Sequence, residues 1–268
     1  MSSRKRAGRV FNNTRKFDRI INAPMTFDVP ILLVLLIVFA ATLVRATFGF
    51  GDALIGMPLL ALVISIREAT PLMAFIGPTI AVVLLIKEWR HINLKSTLTL
   101  IVSTLVGIPI GLLFLKHIDE NIVSLVLAVV ILLFSLYNLI RPGLLRLKSD
   151  RPVFLFGFLA GILGAAYNAN GPPVILFGTL RGWKPESFRA TLQGYFLPTG
   201  GAILVGQGIA GLWTKTVVTA YLYSLPLVAV AIFMGLKLSR KIPPEKFNRY
   251  VYGLLLIIGM ILLIKVIR

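Results

Sequence analysis

The sequence predicts an all-α polytopic integral membrane protein with two repeated halves of about four spans each, each half containing a broken or re-entrant helix. Of its 268 residues, 57% are hydrophobic and only 14% are charged, whereas soluble domains are about 45–50% apolar. Apolar runs such as Leu98–Leu115 and Ile122–Ile140 approach the roughly 20 residues that cross a bilayer. These runs are continuously apolar rather than alternating, which disfavours a β-barrel.

The first half is predicted to cover residues 29–140, after a polar, basic tail at residues 1–28. Val29–Val44 is the first span, and a second apolar piece, Ala53–Ile66, follows a short glycine-rich break. Together they are roughly twice as long as one crossing requires. They therefore form either two spans or one span and a re-entrant piece. The other predicted spans of this half are Pro71–Ile86, Ser96–Leu115 and Ile122–Ile140.

The second half is predicted to cover residues 152–268, after a basic linker at residues 141–151. The Pro78-Thr79 pair recurs as Pro198-Thr199, and the break at 49–52 corresponds to 168–171. Internal duplication of this kind is common in secondary transporters. Segment 153–180 forms either a hairpin or a single crossing, so parallel and inverted halves both stay open. The predicted elements are Val153–Tyr167, Pro172–Leu180, Ala190–Ile209, Thr216–Leu236 and Phe247–Ile267.

The net charge of +18 is assigned to connections on the cytoplasmic side of the membrane. Nucleic-acid binding is disfavoured because no stacking aromatics are interleaved with the basic residues. The chain has no cysteine and only two histidines, and no spacing resembles a metal site. No Walker A loop or Ser/His/Asp set is present either. We therefore expect no catalytic residue, no metal and no cofactor, and we disfavour an enzyme acting on lipid.

The segment around which the second half is organised is 157–182, GFLAGILGAAYNANGPPVILFGTLRG. A polar break inside an apolar helix cannot face lipid, because its freed backbone groups would lack partners. The amino end of the following helix attracts anions through its free N–H groups and its dipole. We expect the substrate-binding residues here to be Asn168, Asn170, Gly171 and Pro172. The alternative to a binding role is that the break is only a kink in the helix, with glycine placed at a close helix contact.

The break in the first half supplies the remaining candidates. Gly49 and Gly51 allow close approach to the backbone, and Asp52 follows them. Arg45 and Asp52 are charges inside an apolar region, where charges are costly and are usually paired. Three interpretations are open: Arg45 attracts the anion while Asp52 carries a coupling proton, the two form a structural pair, or Arg45 extends to the membrane surface. Gln193, in the span after the second break, is expected to face the same cavity.

The glycine-rich breaks and the prolines that follow them resemble the TauE/SafE family, also called the toluene-sulfonate uptake permease family. The copies read GFGDALIGMPLLAL at 49–62 and GFLAGILGAAYNANGPPVILFGTLRG at 157–182, and Arg189-Ala190-Thr191, Gly107, Gly111 and Gly235 are further family-like features. The resemblance covers residues 29–267. It implies a bacterial or archaeal inner-membrane transporter for sulfite, sulfonates or other small sulfur-containing organic anions. The side chains of Asp52 and Asn170 depart from the consecutive glycines that are frequent in the family.

The sequence therefore predicts a secondary transporter of a small anion that works by alternating access at two half-helix amino ends. Its partners are the substrate, the lipid bilayer and a coupling proton or ion, and nothing in the pattern excludes an oligomer. The alternatives are a passive anion channel and a membrane assembly subunit without transport. We expect a multi-pass protein of the inner (plasma) membrane with a cytoplasmic N-terminus.

Overall fold

The computed structural model describes residues 29–88, 94–140, 147, 149–183, 185–239 and 244–267. Within these ranges the chain forms ten α-helices and no strand. The helices are α1 Val29–Phe48, α2 Asp52–Val63, α3 Ile66–Glu88, α4 Leu94–His117, α5 Glu120–Ile140, α6 Val153–Tyr167, α7 Gly171–Leu180, α8 Pro185–Ile209, α9 Lys215–Leu238 and α10 Pro244–Ile267. Among the described residues, α1, α3, α4, α5 and α9 contain segments long and apolar enough to cross a membrane.

These helices confirm the predicted all-α membrane architecture, and most boundaries lie within a few residues of the predicted ones. The largest shifts are at α8, which begins at Pro185 rather than at Ala190, and at α3, which begins at Ile66 rather than at Pro71. Proline is tolerated early in a helix, and Glu68 in the first turn favours a helical start there. The predicted tail at 1–28 and most of the predicted linker at 141–151 lie outside the described residues.

The first break is a hairpin. α2 runs back along α1, so that a Cβ on Gly56 would lie 3.2 Å from Ala41 and a Cβ on Gly51 would lie 3.2 Å from Val44. The start of α1 therefore lies beside the end of α2, where Ile31 and Ile64 line the same groove. The chain leaves the hairpin at the end of the bundle where it entered.

The second break is also a hairpin, and its base is tied by polar contacts. The Leu147 N–H donates to Leu180 O at 2.9 Å, and the Arg181 guanidinium donates to Leu147 O at 2.7 Å. Arg181 also pairs with Asp150 at 2.8 Å. Of the two forms that the sequence allowed for 153–180, the structure therefore has the hairpin rather than the single crossing.

The two hairpins enter the bundle from opposite ends. The base of the first lies near the α4–α5 connection, where Ile66 N–H donates to Glu120 and Arg67 donates to Ile118 O. We call this the Ser65 end. α3 runs away from it, α4 returns and α5 runs away again, so the second hairpin starts at the opposite end. We call that the Asp150 end.

Helix α6 reaches its position because it packs very closely on α4. Glycines on both helices form this contact, so close that an added Cβ on Gly161 would lie 2.2 Å from Thr104 O and one on Gly107 would lie 2.2 Å from Phe158 O. Small residues permit such approach between apolar helices. α1 packs on α9 in the corresponding way, while α3 packs on α8 and α5 on α10. The bundle therefore holds both hairpin tips in its interior.

Candidate anion-binding site

The tips of the two hairpins face one narrow, buried cavity. Its lining combines both tips with the middle of α3 and α8: Arg45, Phe50, Gly51, Asp52, Ala53, Leu54, Gly77, Pro78, Asn168, Asn170, Gly171, Pro172, Ile175, Phe196 and Gly200. Seven of the nine residues predicted from the sequence line this cavity. The other two, Gly49 and Gln193, lie directly behind its wall, where the Gln193 amide donates to Gly49 O.

Left-handed backbone conformations form both tips. Gly49 has φ 87° and Gly51 has φ 103°, while Asn168 has φ 54° at the end of α6. Glycine adopts this region without steric cost, and asparagine tolerates it better than most residues do. The chain can therefore reverse direction in three residues at each tip and point the next helix's amino end into the cavity.

The amino end of α2 offers backbone donors to the cavity. The first hydrogen bond of this helix runs from the Ile55 N–H to Gly51 O, and no side chain caps the end. The N–H groups of Asp52, Ala53 and Leu54 precede that bond and have no acceptor within the helix. All three residues line the cavity.

The amino end of α7 differs from the prediction. The helix begins at Gly171, and Pro172 and Pro173 occupy its first turn. Because proline has no N–H group, this end offers fewer backbone donors than we expected from the sequence. Asn170 is the N-cap residue but its side chain forms no capping bond. The end therefore contributes mainly its helix dipole and the amides of Asn168 and Asn170.

A buried ion pair joins the two ends of the first hairpin tip. Arg45 Nη1 lies 2.6 Å from Asp52 Oδ2, with side-chain exposures of 4% and 8%. Nη2 of Arg45 is 3.4 Å from Gln193 Oε1, and the guanidinium lies 4.8 Å from the Phe196 ring centroid. Its Nε has no partner in the described part of the chain. The structure therefore shows Arg45 and Asp52 in direct contact inside the cavity.

Asn170 is held by a buried hydrogen-bond chain. Its Nδ2 donates to Thr199 Oγ1 at 3.2 Å, and that hydroxyl donates to Tyr195 O at 2.6 Å. Asn168 and the Arg45 guanidinium lie close to the same point of the cavity lining. A Cβ placed on Gly77 would be 3.6 Å from both Asn168 Nδ2 and Arg45 Nη1. Because Gly77 has no side chain, the space beside the Asn168 amide and the Arg45 guanidinium stays open.

Gly77, Phe196 and Gly200 are among the lining residues that the sequence did not indicate as part of the site. Gly77 and Gly200 flank the repeated Pro78-Thr79 and Pro198-Thr199 motifs, which did signal special mid-span positions. A Cβ on Gly200 would lie 3.1 Å from Pro78, so the two motifs meet. Phe196 carried no signal of its own, because an aromatic residue in an apolar span is ordinary core.

Among the described residues, the cavity lining holds two charged side chains, Arg45 and Asp52, and no histidine. In the described ranges no group of three metal-ligating side chains comes together. The donors of the site are therefore a guanidinium, two asparagine amides and the backbone N–H groups of α2. Such donors suit an acceptor-rich anion.

Comparison with known proteins agrees with this chemistry. The chain is 24% identical over 247 residues to the "Probable sulfite/organosulfonate exporter TauE" of Cupriavidus necator, covering 89% of this chain and 95% of that protein. No solved structure matches the chain. The family model described as "Sulfite exporter TauE/SafE" matches residues 34–262. The chain therefore belongs to the TauE/SafE family of membrane transporters.

Proposed function

We propose that this protein is a secondary transporter of a small sulfur-containing anion, such as sulfite or an organosulfonate. The observation that carries the proposal is the convergence of two helix amino ends, Arg45 and two asparagine amides on one buried cavity. Membership of the TauE/SafE family and similarity to the probable sulfite/organosulfonate exporter of Cupriavidus necator support the substrate class. The transported anion would accept hydrogen bonds from Asn168, Asn170 and the α2 backbone.

Alternating access at the hairpin tips is the proposed mechanism. When helices α1–α5 are matched in order to α6–α10, each packed pair of helices has a counterpart. The pair α1–α9 corresponds to the pair α6–α4, while the pairs α3–α8 and α5–α10 each correspond to themselves. Hairpins that enter from opposite ends support an inverted duplication, which is a common construction of secondary transporters. Pro78 and Gly200, which meet at the cavity, would form the contact about which α3 and α8 tilt.

We propose that the Asp150 end faces the cytoplasm of an inner (plasma) membrane. The sequence segments that connect helices at this end, 141–151, 181–189 and 237–249, are basic, as the positive-inside rule requires. This orientation puts the start of α1 at the other face, unlike the cytoplasmic N-terminus expected from the basic tail. Because the chain has no cysteine, labelling of Asn121→Cys and Ser149→Cys from one side of the membrane tests the assignment.

Gly77→Ala is the sharpest test of the site. An added methyl group would make ordinary contacts at 3.6 Å and no clash, so the fold should be retained while the space between Arg45 and Asn168 is reduced. We expect weaker uptake of sulfite, sulfoacetate, taurine and small carboxylates into proteoliposomes, whichever of these the wild type carries. Gly253→Ala is the matched control, because nothing lies within 4 Å of that added methyl group.

Counterflow separates the proposal from its rivals. Substrate on the far side accelerates labelled uptake through a carrier but not through a passive channel. Wild-type protein that passes every anion without counterflow would establish the channel. An absence of flux for the whole anion panel would favour an assembly subunit. Equal flux through wild type and Gly77→Ala would refute the cavity as the substrate site.

A further inference from the structure

We propose that the Asp52 carboxylate is the anion that pairs with Arg45 until substrate binds. The substrate anion then takes the place of this carboxylate on Arg45, and Asp52 binds a proton. The inference rests on the proposed function and specifies how the same site is coupled. Anion and proton then occupy the site together and cross the membrane together. The net direction of transport follows the sum of the anion and proton gradients.

Charge neutrality of the empty cavity is the first argument. Arg45 and Asp52 are in contact at 2.6 Å and cancel each other, and the lining contains no other charged side chain. An anion entering beside the intact pair would meet the Asp52 carboxylate in a buried setting, where screening is weak. Binding therefore requires that the negative charge of Asp52 be removed or moved away.

Unused donor capacity on Arg45 is the second argument. A guanidinium has five N–H donors in a planar fork, yet the Nε of this buried side chain has no partner among the described residues. Its contact with Gln193 is long, at 3.4 Å. The fork is therefore only partly used by the resident carboxylate, and an anion with several oxygens could accept from donors that Asp52 leaves open.

The position of Asp52 supplies the third argument. It is the first residue of α2, so its side chain lies beside the backbone donors that would hold the substrate. A protonated Asp52 can donate a hydrogen bond to the anion instead of repelling it. A further charged group packed against this tip is Arg189 of α8, whose Cγ and Nε lie 3.5 Å from the Cβ position of Gly49. It favours anions and cannot exchange a proton in this range.

The proton balance follows from these contacts. Asp52 binds one proton at a carboxylate oxygen, the Arg45 contact opens, and the site gains one positive charge that the anion neutralises. On release the proton leaves Asp52 and the ion pair re-forms. One proton moves with each monoanion, and the step is electroneutral.

Binding of methanesulfonate as a function of pH tests the exchange, since a sulfonate stays ionised across the range. For purified wild-type protein between about pH 5 and about pH 9, we expect the apparent affinity to fall by up to about tenfold per pH unit as the pH rises, because each bound anion brings one proton to the site. Asp52→Asn should bind tightly with a flat profile, and Asp52→Glu should restore the slope. Asp150→Asn is the matched control, because it also removes an Arg–Asp pair, and should follow the wild type.

Transport gives a second readout. In proteoliposomes with an internal pH dye, wild-type anion flux should carry protons, whereas Asp52→Asn should show counterflow without proton movement. A retained pH slope in Asp52→Asn, or weaker binding at low pH in that variant, would overturn the exchange while leaving the anion site intact. A wild type that binds no anion of the panel would instead overturn the proposed function, and this inference with it.

Discussion

Glycine packing between α4 and α6 can be tested by one added methyl group. In Gly161→Ala the new Cβ would lie 2.2 Å from Thr104 O and 2.9 Å from Gly107 Cα. Carbon and carbonyl oxygen approach to about 3.3 Å in close helix contacts, so α4 and α6 must separate by about 1 Å. Backbone carbonyls cannot rotate away as a flexible side chain would. We expect a cost of about 1–3 kcal/mol, the usual price of overpacking.

Gly201→Ala is the control, because it adds the same methyl group at a position without a close helix contact. Nothing lies within 4 Å of its added methyl group, and alanine is the better helix former by about 0.5–1 kcal/mol. Gly161→Ala should therefore lower the unfolding temperature in detergent, while Gly201→Ala should keep or raise it. Unfolding can be monitored by the fluorescence of the three tryptophans. Gly107→Ala should act like Gly161→Ala.

The double variant sharpens the prediction. An added Cβ on Gly107 would lie 3.1 Å from Gly161 Cα, so the two glycines face each other. One separation of the helices makes room for both methyl groups, and the combined loss should be smaller than the sum of the single losses. A Gly161→Ala protein as stable as Gly201→Ala would refute the close α4–α6 contact, and with it the placement of the second hairpin tip.

Two further predictions concern the site and the base of the first hairpin. Asn170→Ala should lower anion transport at unchanged expression and without unfolding the protein, because it removes a cavity amide and its bond to Thr199; equal flux would exclude Asn170 from the site. Lys265→Met should lower the unfolding temperature by an amount corresponding to about 1 kcal/mol, because Nζ donates to Ala61 O at 2.8 Å near the carboxyl end of α2. Lys215→Met, at the same end of the bundle, is the control, and equal losses would contradict the Lys265 contact.

The sequence was most informative about where helices stop. A polar, glycine-rich break at 168–171 interrupts the apolar pattern, and the structure has a helix end there. The direction of the chain after the break was not predictable in the same way. It depends on the packing of α6 against α4, which joins residues distant in the chain, and on the packing of α2 against α1, which joins residues on either side of a turn.

The sequence indicated those cavity-lining side chains that have an intrinsic cost in lipid. Arg45, Asp52 and the asparagines are expensive there unless they have partners, which is why the pattern identified them. Gly77 has no such cost, and the space that it leaves beside Asn168 is visible only in the structure. Pro172 was correctly placed at the start of a helix, but the loss of N–H groups at two consecutive prolines weakens that helix end as a donor.

Thiol protection in the cysteine-free chain tests the anion cavity most directly. Ala53→Cys would place a small thiol among the lining residues at the amino end of α2, whereas Asn121→Cys would place one on an exposed surface at the Ser65 end. Transported anion should slow the reaction of Ala53→Cys with a sulfonate-bearing thiosulfonate reagent and leave Asn121→Cys unaffected. Equal reaction rates for Ala53→Cys with and without the transported anion would contradict the assignment of this cavity as the substrate site.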